Sequence, residues 1–253
     1  MNAFAGKRVL ITGASRGVGR KLAEDFAAHG AKVVVNYLGS ADAANDIVAG
    51  ITAVGGEAFA ARADIGQSDQ VTEMFLEIQT QFGGLDVLVN NAGINRDSPF
   101  LDMSEEDWDA VITTNLKGPF LCCQAAGRLM MAKGGSTGRI INISAVTSLV
   151  GRENGANYSA SKAGLNALTR SLAVELGPKV TVNSIVLGFF DSPLARDVFS
   201  AEQIAAVEAK LPAGRLGQFD EISALVRYLA SDAAAYMTGQ AITMDGGQII
   251  RMP

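Results

Sequence analysis

The amino-acid sequence predicts an α/β fold: a doubly wound parallel sheet of about seven strands with helices on both faces. Three observations carry this. Seven short runs along the 253 residues are apolar throughout rather than alternating, as strands buried on both faces are. Longer stretches with a helical apolar period lie between them. A glycine-rich turn follows the first run directly and opens a helix, the arrangement in which such sheets hold phosphates.

The elements follow in order. RVLIT (8–12) is the first strand, and TGASRGVGR is the turn after it. Its Gly13, Gly17 and Gly19 allow sharp turning and close backbone approach to a pyrophosphate at the amino end of a helix over 19–29. Ser15, Arg16 and Val18 fill the turn and join the glycines as candidate cofactor-binding residues. KVVVN (32–36) is the second strand, and a helical period runs over 40–54. EAFAARAD (57–64) is the third strand, followed by a helix over 68–82. LDVLVNNAG (85–93) is the fourth, followed by one long helix over 108–133. GRIINIS (138–144), a helix over 159–176, VTVNSIV (180–186) and QAITMDGG (240–247) complete the alternation. Right-handed crossovers between parallel strands then leave a doubly wound sheet. The irregular stretch 188–217 leaves a strand at its carboxyl end and is long for a plain connection, so it is read as a substrate loop. No linker or change of composition interrupts the pattern, which predicts a single domain over 1–253.

Composition excludes several classes. The net charge is −5 and no basic run occurs, which argues against a nucleic-acid partner. No apolar run approaches the roughly 20 residues of a membrane span, and no signal-peptide pattern opens the chain. Cys122 and Cys123 are adjacent and read as reduced thiols, hence a cytoplasmic protein. No Cys/His/carboxylate cluster offers a metal site.

The end of the second strand selects the cofactor. An acid there would grip the ribose 2′-hydroxyl of NAD. Here Asn36-Tyr37 stand instead, which would not repel a 2′-phosphate, and Arg16 could pair with one. The expectation is NADP (NADPH).

The motifs TGASRGVG (12–19), Asp64-Ile65, NNAG (90–93), Asn115, YSASK (158–162), VNSIVLG (182–188) and TGQAITMDGG (238–247) cover essentially the whole chain. Together they resemble the short-chain dehydrogenase/reductases, and most closely the 3-oxoacyl-[acyl-carrier-protein] reductase group of fatty acid metabolism. The resemblance implies a Rossmann-type fold and a set of roles. Asp64 and Ile65 would flank the adenine. Asn91, Ala92 and Gly93 would line the cofactor. Gly188, Phe190 and Ser192 would lie beside the nicotinamide. Tyr158 would be the catalytic acid, with Lys162, one helical turn on, lowering its pKa and holding the ribose. Asn115 would hold a water that passes protons to the lysine. The family serine that grips the substrate oxygen is missing, because its position, 13 before the tyrosine, is Ala145. Ser144 should face away from the site, while Thr147 would share the face of Ala145 if the chain stays extended.

The implied activity is NADP-dependent reduction of a ketone, a 3-oxoacyl thioester or similar, to a secondary alcohol. The alternatives are an alcohol or steroid-type dehydrogenase on the same scaffold, and an NADP-binding protein impaired in catalysis by Ala145. Acyl carrier protein is the candidate macromolecular partner, through Arg128 and Lys133, although Val174 replaces another family cation. Phe189, Phe190, Leu194 and Phe199 suggest an apolar substrate pocket. A homotetramer is implied by the resemblance, with Leu121, Leu129, Leu165, Leu168 and Leu172 at helical spacing on the two long helices.

Overall fold

The structure, a computed structural model, describes residues 3–132, 137–191 and 200–250. Its strands are β1 (Arg8–Ile11), β2 (Lys32–Tyr37), β3 (Glu57–Arg62), β4 (Val87–Asn90), β5 (Gly138–Ala145), β6 (Val180–Leu187) and β7 (Ala241–Met244). Its described helices are α1 (Gly17–Ala28), α2 (Ala41–Ala53), α3 (Ser68–Phe82), α4 (Glu105–Ile112), α5 (Gly118–Met131), α6 (Ala156–Leu176), α7 (Ala201–Glu208) and α8 (Phe219–Ala230). All seven strands lie in one sheet, in the order β3-β2-β1-β4-β5-β6-β7, and every pairing is parallel. The winding reverses between β1 and β4. The loops leaving those two strands therefore diverge and open a crevice at the carboxyl edge of the sheet.

Alternate strand residues serve the two faces. Val9, Ile11, Val33, Val35, Val87 and Val89 pack with Leu22 and Phe26 of α1, Ile47 of α2, and Ile222 and Val226 of α8. Leu10, Val34, Leu88, Ile140 and Val182 face the other layer, with Phe75 and Ile78 of α3 and Cys122, Ala126 and Met130 of α5. This explains why the runs of the central strands are largely apolar on both faces, whereas the edge strands β3 and β7 are partly exposed. Truncating one such residue, as in Leu88→Ala, removes contacts that typically amount to about 2–5 kcal/mol. Cys122 and Cys123 are both buried in this second layer. Burial pushes both thiols up, Cys123 to about 12, so they are packing residues rather than reactive ones.

Three boundaries differ from expectation. The long helix over 108–133 starts earlier, at Glu105, where Ser104 accepts a hydrogen bond from the Asp107 backbone N–H at 3.1 Å and three acids fill the first turn. It is also interrupted: Thr113–Lys117 forms a π-turn between α4 and α5, and such turns re-aim side chains at functional sites. The stretch 188–217 is not wholly irregular. It contains α7, capped reciprocally by Ser200 and Gln203, and a bridge from Phe190 to Gly217 ties its ends together. Ser192, Leu194, Phe199 and Lys133 lie outside the described residues.

Candidate active site

The turn after β1 is built by glycine and braced by asparagine. Gly13 sits at φ +62, and a Cβ there would stand 2.8 Å from the Ala92 Cα. A Cβ on Gly19 would meet the Gly13 carbonyl oxygen at 2.5 Å and the Asn91 amide nitrogen at 2.6 Å. Asn91 earns this closeness by donating to the carbonyls of Thr12 (2.9 Å) and Gly13 (3.2 Å). The Thr12 hydroxyl in turn accepts from the backbone N–H groups of Asn91 and Ala92. The β1 and β4 loops are thus stitched into one floor, with Ala92 as part of the packing.

Asn36 differs from its assigned role. It is 2% exposed, and its amide is committed: Oδ1 accepts from the Gly13 N–H at 3.1 Å, while Nδ2 donates to the carbonyls of Ala61 (3.2 Å) and Ala63 (3.1 Å). Its side chain shapes the glycine turn from beneath instead of meeting a ribose. Tyr37 packs partly against the first apolar layer. Asp64 spends Oδ1 on the Gly66 N–H at 2.9 Å. Ile65 is buried at 4%, and the tip of its side chain packs where a Cβ on Gly118 would stand. An adenine would therefore meet mainly the backbone of Ile65.

A groove of about 820 Å³ opens above this floor, lined by Arg16, Gly17, Val18, Asn91 and Gly93 on one side and by Ala145, Tyr158, Lys162, Gly188 and Phe190 on the other. Ile222 and Phe219 of α8 complete its wall, a contribution that no motif announces. Gly13, Gly19 and Ala92 support the floor, and neither they nor Ser15 are part of this lining. Another cavity, about 410 Å³, lies at the amino ends of β2 and β3 between Lys32 and Glu57 and borders none of these residues.

The groove fits a dinucleotide. No side chain caps α1, so its first N–H groups are available to an anion. Gly17, at φ +56, has nothing within 4 Å of where its Cβ would stand. Arg16 is exposed at the same helix end and takes no ion pair among the described residues. Arg62 was not anticipated. From the end of β3 its Nε donates to the Leu38 carbonyl at 3.2 Å, bringing a second guanidinium beside the end of β2.

Tyr158 lies in the first turn of α6 and Lys162 one turn on. Lys162 is buried, and its Nζ donates to the Ile143 carbonyl at 2.8 Å. Burial pulls its pKa down to about 8. Its Nζ stands 5.6 Å from the centre of the Tyr158 ring. Tyr158 is half-buried by surface area, yet desolvation is the main influence on its phenol and pushes its pKa up. The cation that opposes this is Arg152, while the Lys162 ammonium donates to Ile143 as well as standing near the ring.

Asn115 anchors a buried network. It is fully buried in the π-turn. Its Oδ1 accepts from the Ile94 N–H at 2.9 Å, and its Nδ2 donates to the Ile94 carbonyl at 2.9 Å and to the Ser161 hydroxyl at 3.3 Å. Both amide protons are used, so its side chain can offer a water one lone pair and no donor. Its visible work is to fix the loop after β4 against α6. A Cβ on Gly93 would stand 3.3 Å from Asn115 Oδ1 and 3.7 Å from Lys162 Nζ, so that glycine lets the two approach.

Ala145 is the last residue of β5 and borders the groove. Ser144 spends its hydroxyl on the Lys162 carbonyl at 3.3 Å, toward α6. Val146–Ser148 turn as a 3₁₀ helix, so the chain does not stay extended to Thr147. The Thr147 hydroxyl is buried without a hydrogen-bond partner among the described residues and does not line the groove. Ser144 thus borders the groove with its hydroxyl engaged toward α6, and Thr147 lies outside the lining.

Comparison with known proteins agrees with this geometry. The family model described as enoyl-(acyl carrier protein) reductase, of the short-chain dehydrogenase/reductases, matches residues 13–248. The chain is 44% identical over 252 residues to a 3-oxoacyl-[acyl-carrier-protein] reductase of Synechocystis, covering 99% of this chain and 100% of that one. It is 46% identical over 242 residues to one from Staphylococcus aureus, covering 95% and 97%. Among solved structures it resembles a short-chain type dehydrogenase/reductase from Mycobacterium marinum (TM-score 0.91, 39% identity, 99% and 98% covered). It also resembles a gluconate 5-dehydrogenase from Burkholderia cenocepacia in complex with NADP and tartrate (TM-score 0.91, 34% identity, 99% and 98% covered).

Proposed function

The chain belongs to the short-chain dehydrogenase/reductase family and is an oxidoreductase; on that premise we propose that it reduces the ketone of a 3-oxoacyl thioester to a secondary alcohol with NADPH. The observation that carries this reading is that Tyr158 and Lys162 line the same groove as the glycine turn. When bound, the cofactor supplies the hydride. Tyr158 gives its proton to the carbonyl oxygen. Burial raises its pKa, so a nearby cation is needed to stabilise the phenolate formed as the proton leaves. Lys162 carries its charge below about pH 8 and stabilises the phenolate left behind. The test is a panel of 3-oxoacyl thioesters, sugar ketones and steroid ketones, followed at the nicotinamide absorbance with each cofactor. Turnover of steroid ketones alone would support the dehydrogenase alternative, and no turnover of any ketone would overturn both.

Arg16 and Arg62 support NADP over NAD, and with them the 2′-phosphate reading no longer depends on Asn36. Arg16→Ala should raise the Kd for NADPH about tenfold or more, as loss of a charge-assisted contact does, and spare NADH. Equal losses for both cofactors would refute the role.

Acyl carrier protein is the partner suggested by the relatives' names. Arg128 is exposed and available to it, whereas Val174, 83% exposed, offers no charge. The described residues include no helix long and apolar enough to cross a membrane. Assembly as a homotetramer through α5 and α6 is proposed with one revision. Leu165 is fully buried in its own chain, and Leu121, Leu129 and Leu172 pack partly on the second apolar layer. Exposed Phe120 and Val174 are the better contact candidates. Light scattering at micromolar concentration should give four times the 26.3 kDa chain mass; a monomer mass would refute it.

A further inference from the structure

The Tyr158 ring has a guanidinium over it that the family reading does not call for. The Arg152 Cζ stands 5.2 Å from the ring centre, within the range of a cation–π contact. Arg152 is held there by an ion pair with Asp97, on the loop after β4. Its Nε is buried without a hydrogen-bond acceptor among the described residues. Gly155 lies so close beneath that any side chain there would run into the guanidinium. The two loops are tied by a backbone contact as well, the Ser98 N–H donating to the Asn154 carbonyl at 2.9 Å, and from the first turn of α6 Asn157 Nδ2 donates to the Arg96 carbonyl at 2.8 Å. Asn154 adopts φ +58 to let the loop close. The arrangement is therefore fixed from both sides.

We propose that the Arg152–Asp97 pair governs when Tyr158 releases its proton, Arg152 promoting release and Asp97 opposing it. Arg152 acts through Tyr158 and is a positioning residue; the proposal rests on Tyr158 being the acid. The segments packed on the start of α6 carry these charged groups: Arg96 and Asp97 after β4, Asp107 in α4, Arg152 and Glu153 before α6, and Lys162 within it. Arg96 is engaged by Asp107 at 3.8 Å, and Lys162 is committed to Ile143. Beside the Lys162 charge, Arg152 and Asp97 bear on the phenol in opposite directions, Arg152 lowering its pKa and Asp97 raising it. Both side chains are partly exposed, 32% and 44%, so solvent screens part of the effect.

The experiment labels the full chain with 3-fluorotyrosine and follows the Tyr158 fluorine resonance against pH, the resonance being assigned by its loss in Tyr158→Phe. Fluorine lowers the phenol pKa and brings the titration into a milder pH range. Arg152→Gln should move the titration up by about one pH unit, and Asp97→Asn should move it down. Arg152→Lys should titrate near wild type. A purely structural loop contact would not give shifts of opposite sign. An unmoved titration in both charge-neutral variants, or shifts of the same sign, overturns the proposal. Asp97→Asn leaves Arg152 in place and tests one sign even if Arg152→Gln does not fold. The readout needs no turnover, so failure of the acid role itself would appear separately, as activity retained in Tyr158→Phe.

Discussion

Tyr158→Phe is expected to lower ketone reduction by roughly 10²–10⁴-fold, the range of a positioned general acid, while leaving the fold and NADPH affinity unchanged. The ring stays in place under Arg152 and beside Lys162, and only the hydroxyl that meets the carbonyl oxygen is lost. The groove floor that would hold the cofactor is built by Gly13, Gly19, Asn91 and Asn36 and does not depend on Tyr158. Stopped-flow reduction of a good ketone, paired with NADPH fluorescence titration, checks both halves. Unchanged turnover would remove Tyr158 from the chemistry and leave a cofactor-binding protein.

Ala145→Ser should raise turnover by about tenfold or more, since a missing carbonyl-oxygen donor usually costs on the order of 10²–10³ in rate. Ala145 is extended, at φ −145 and ψ 157, and borders the groove that Tyr158 also lines. A hydroxyl added there meets no competing partner from Ser144, which bonds toward α6. Thr147→Val, by contrast, should leave the rate unchanged. Its hydroxyl is buried and unpaired, so an isosteric methyl should be neutral or stabilising by up to about 1 kcal/mol. A rate drop in Thr147→Val, reversed by adding Ala145→Ser, would show that Thr147 replaces the serine after all. No gain from Ala145→Ser on any good substrate would mean that Tyr158 alone suffices to hold the oxygen.

The sequence by itself determined the sheet, its strand count and the glycine turn. Strands buried on both faces are largely apolar along their length, so their runs stand out without any partner being known. Gly13, Gly17 and Gly19 were legible for the same local reason: positive φ at Gly13 and Gly17, and crowding at Gly13 and Gly19, exclude other residues. The spacing of Tyr158 and Lys162 also survived, because one helical turn sets it. Only the tertiary structure decided what those residues are bonded to. Asn36 was read as a neutral cofactor contact, but sheet pairing turns its amide under Gly13 and across to β3. Asn115 was legible as a site residue, but that a π-turn inside an otherwise helical pattern aims its side chain at Ile94 was not. Thr147 depended on an extended chain that ends at Ala145. Arg152 and Asp97 are 55 residues apart in sequence, and their bond over Tyr158 follows from the packing of two loops that no periodicity relates. Local backbone constraints are written in neighbouring residues, whereas hydrogen-bond partners and electrostatic neighbours are chosen by contacts between distant ones.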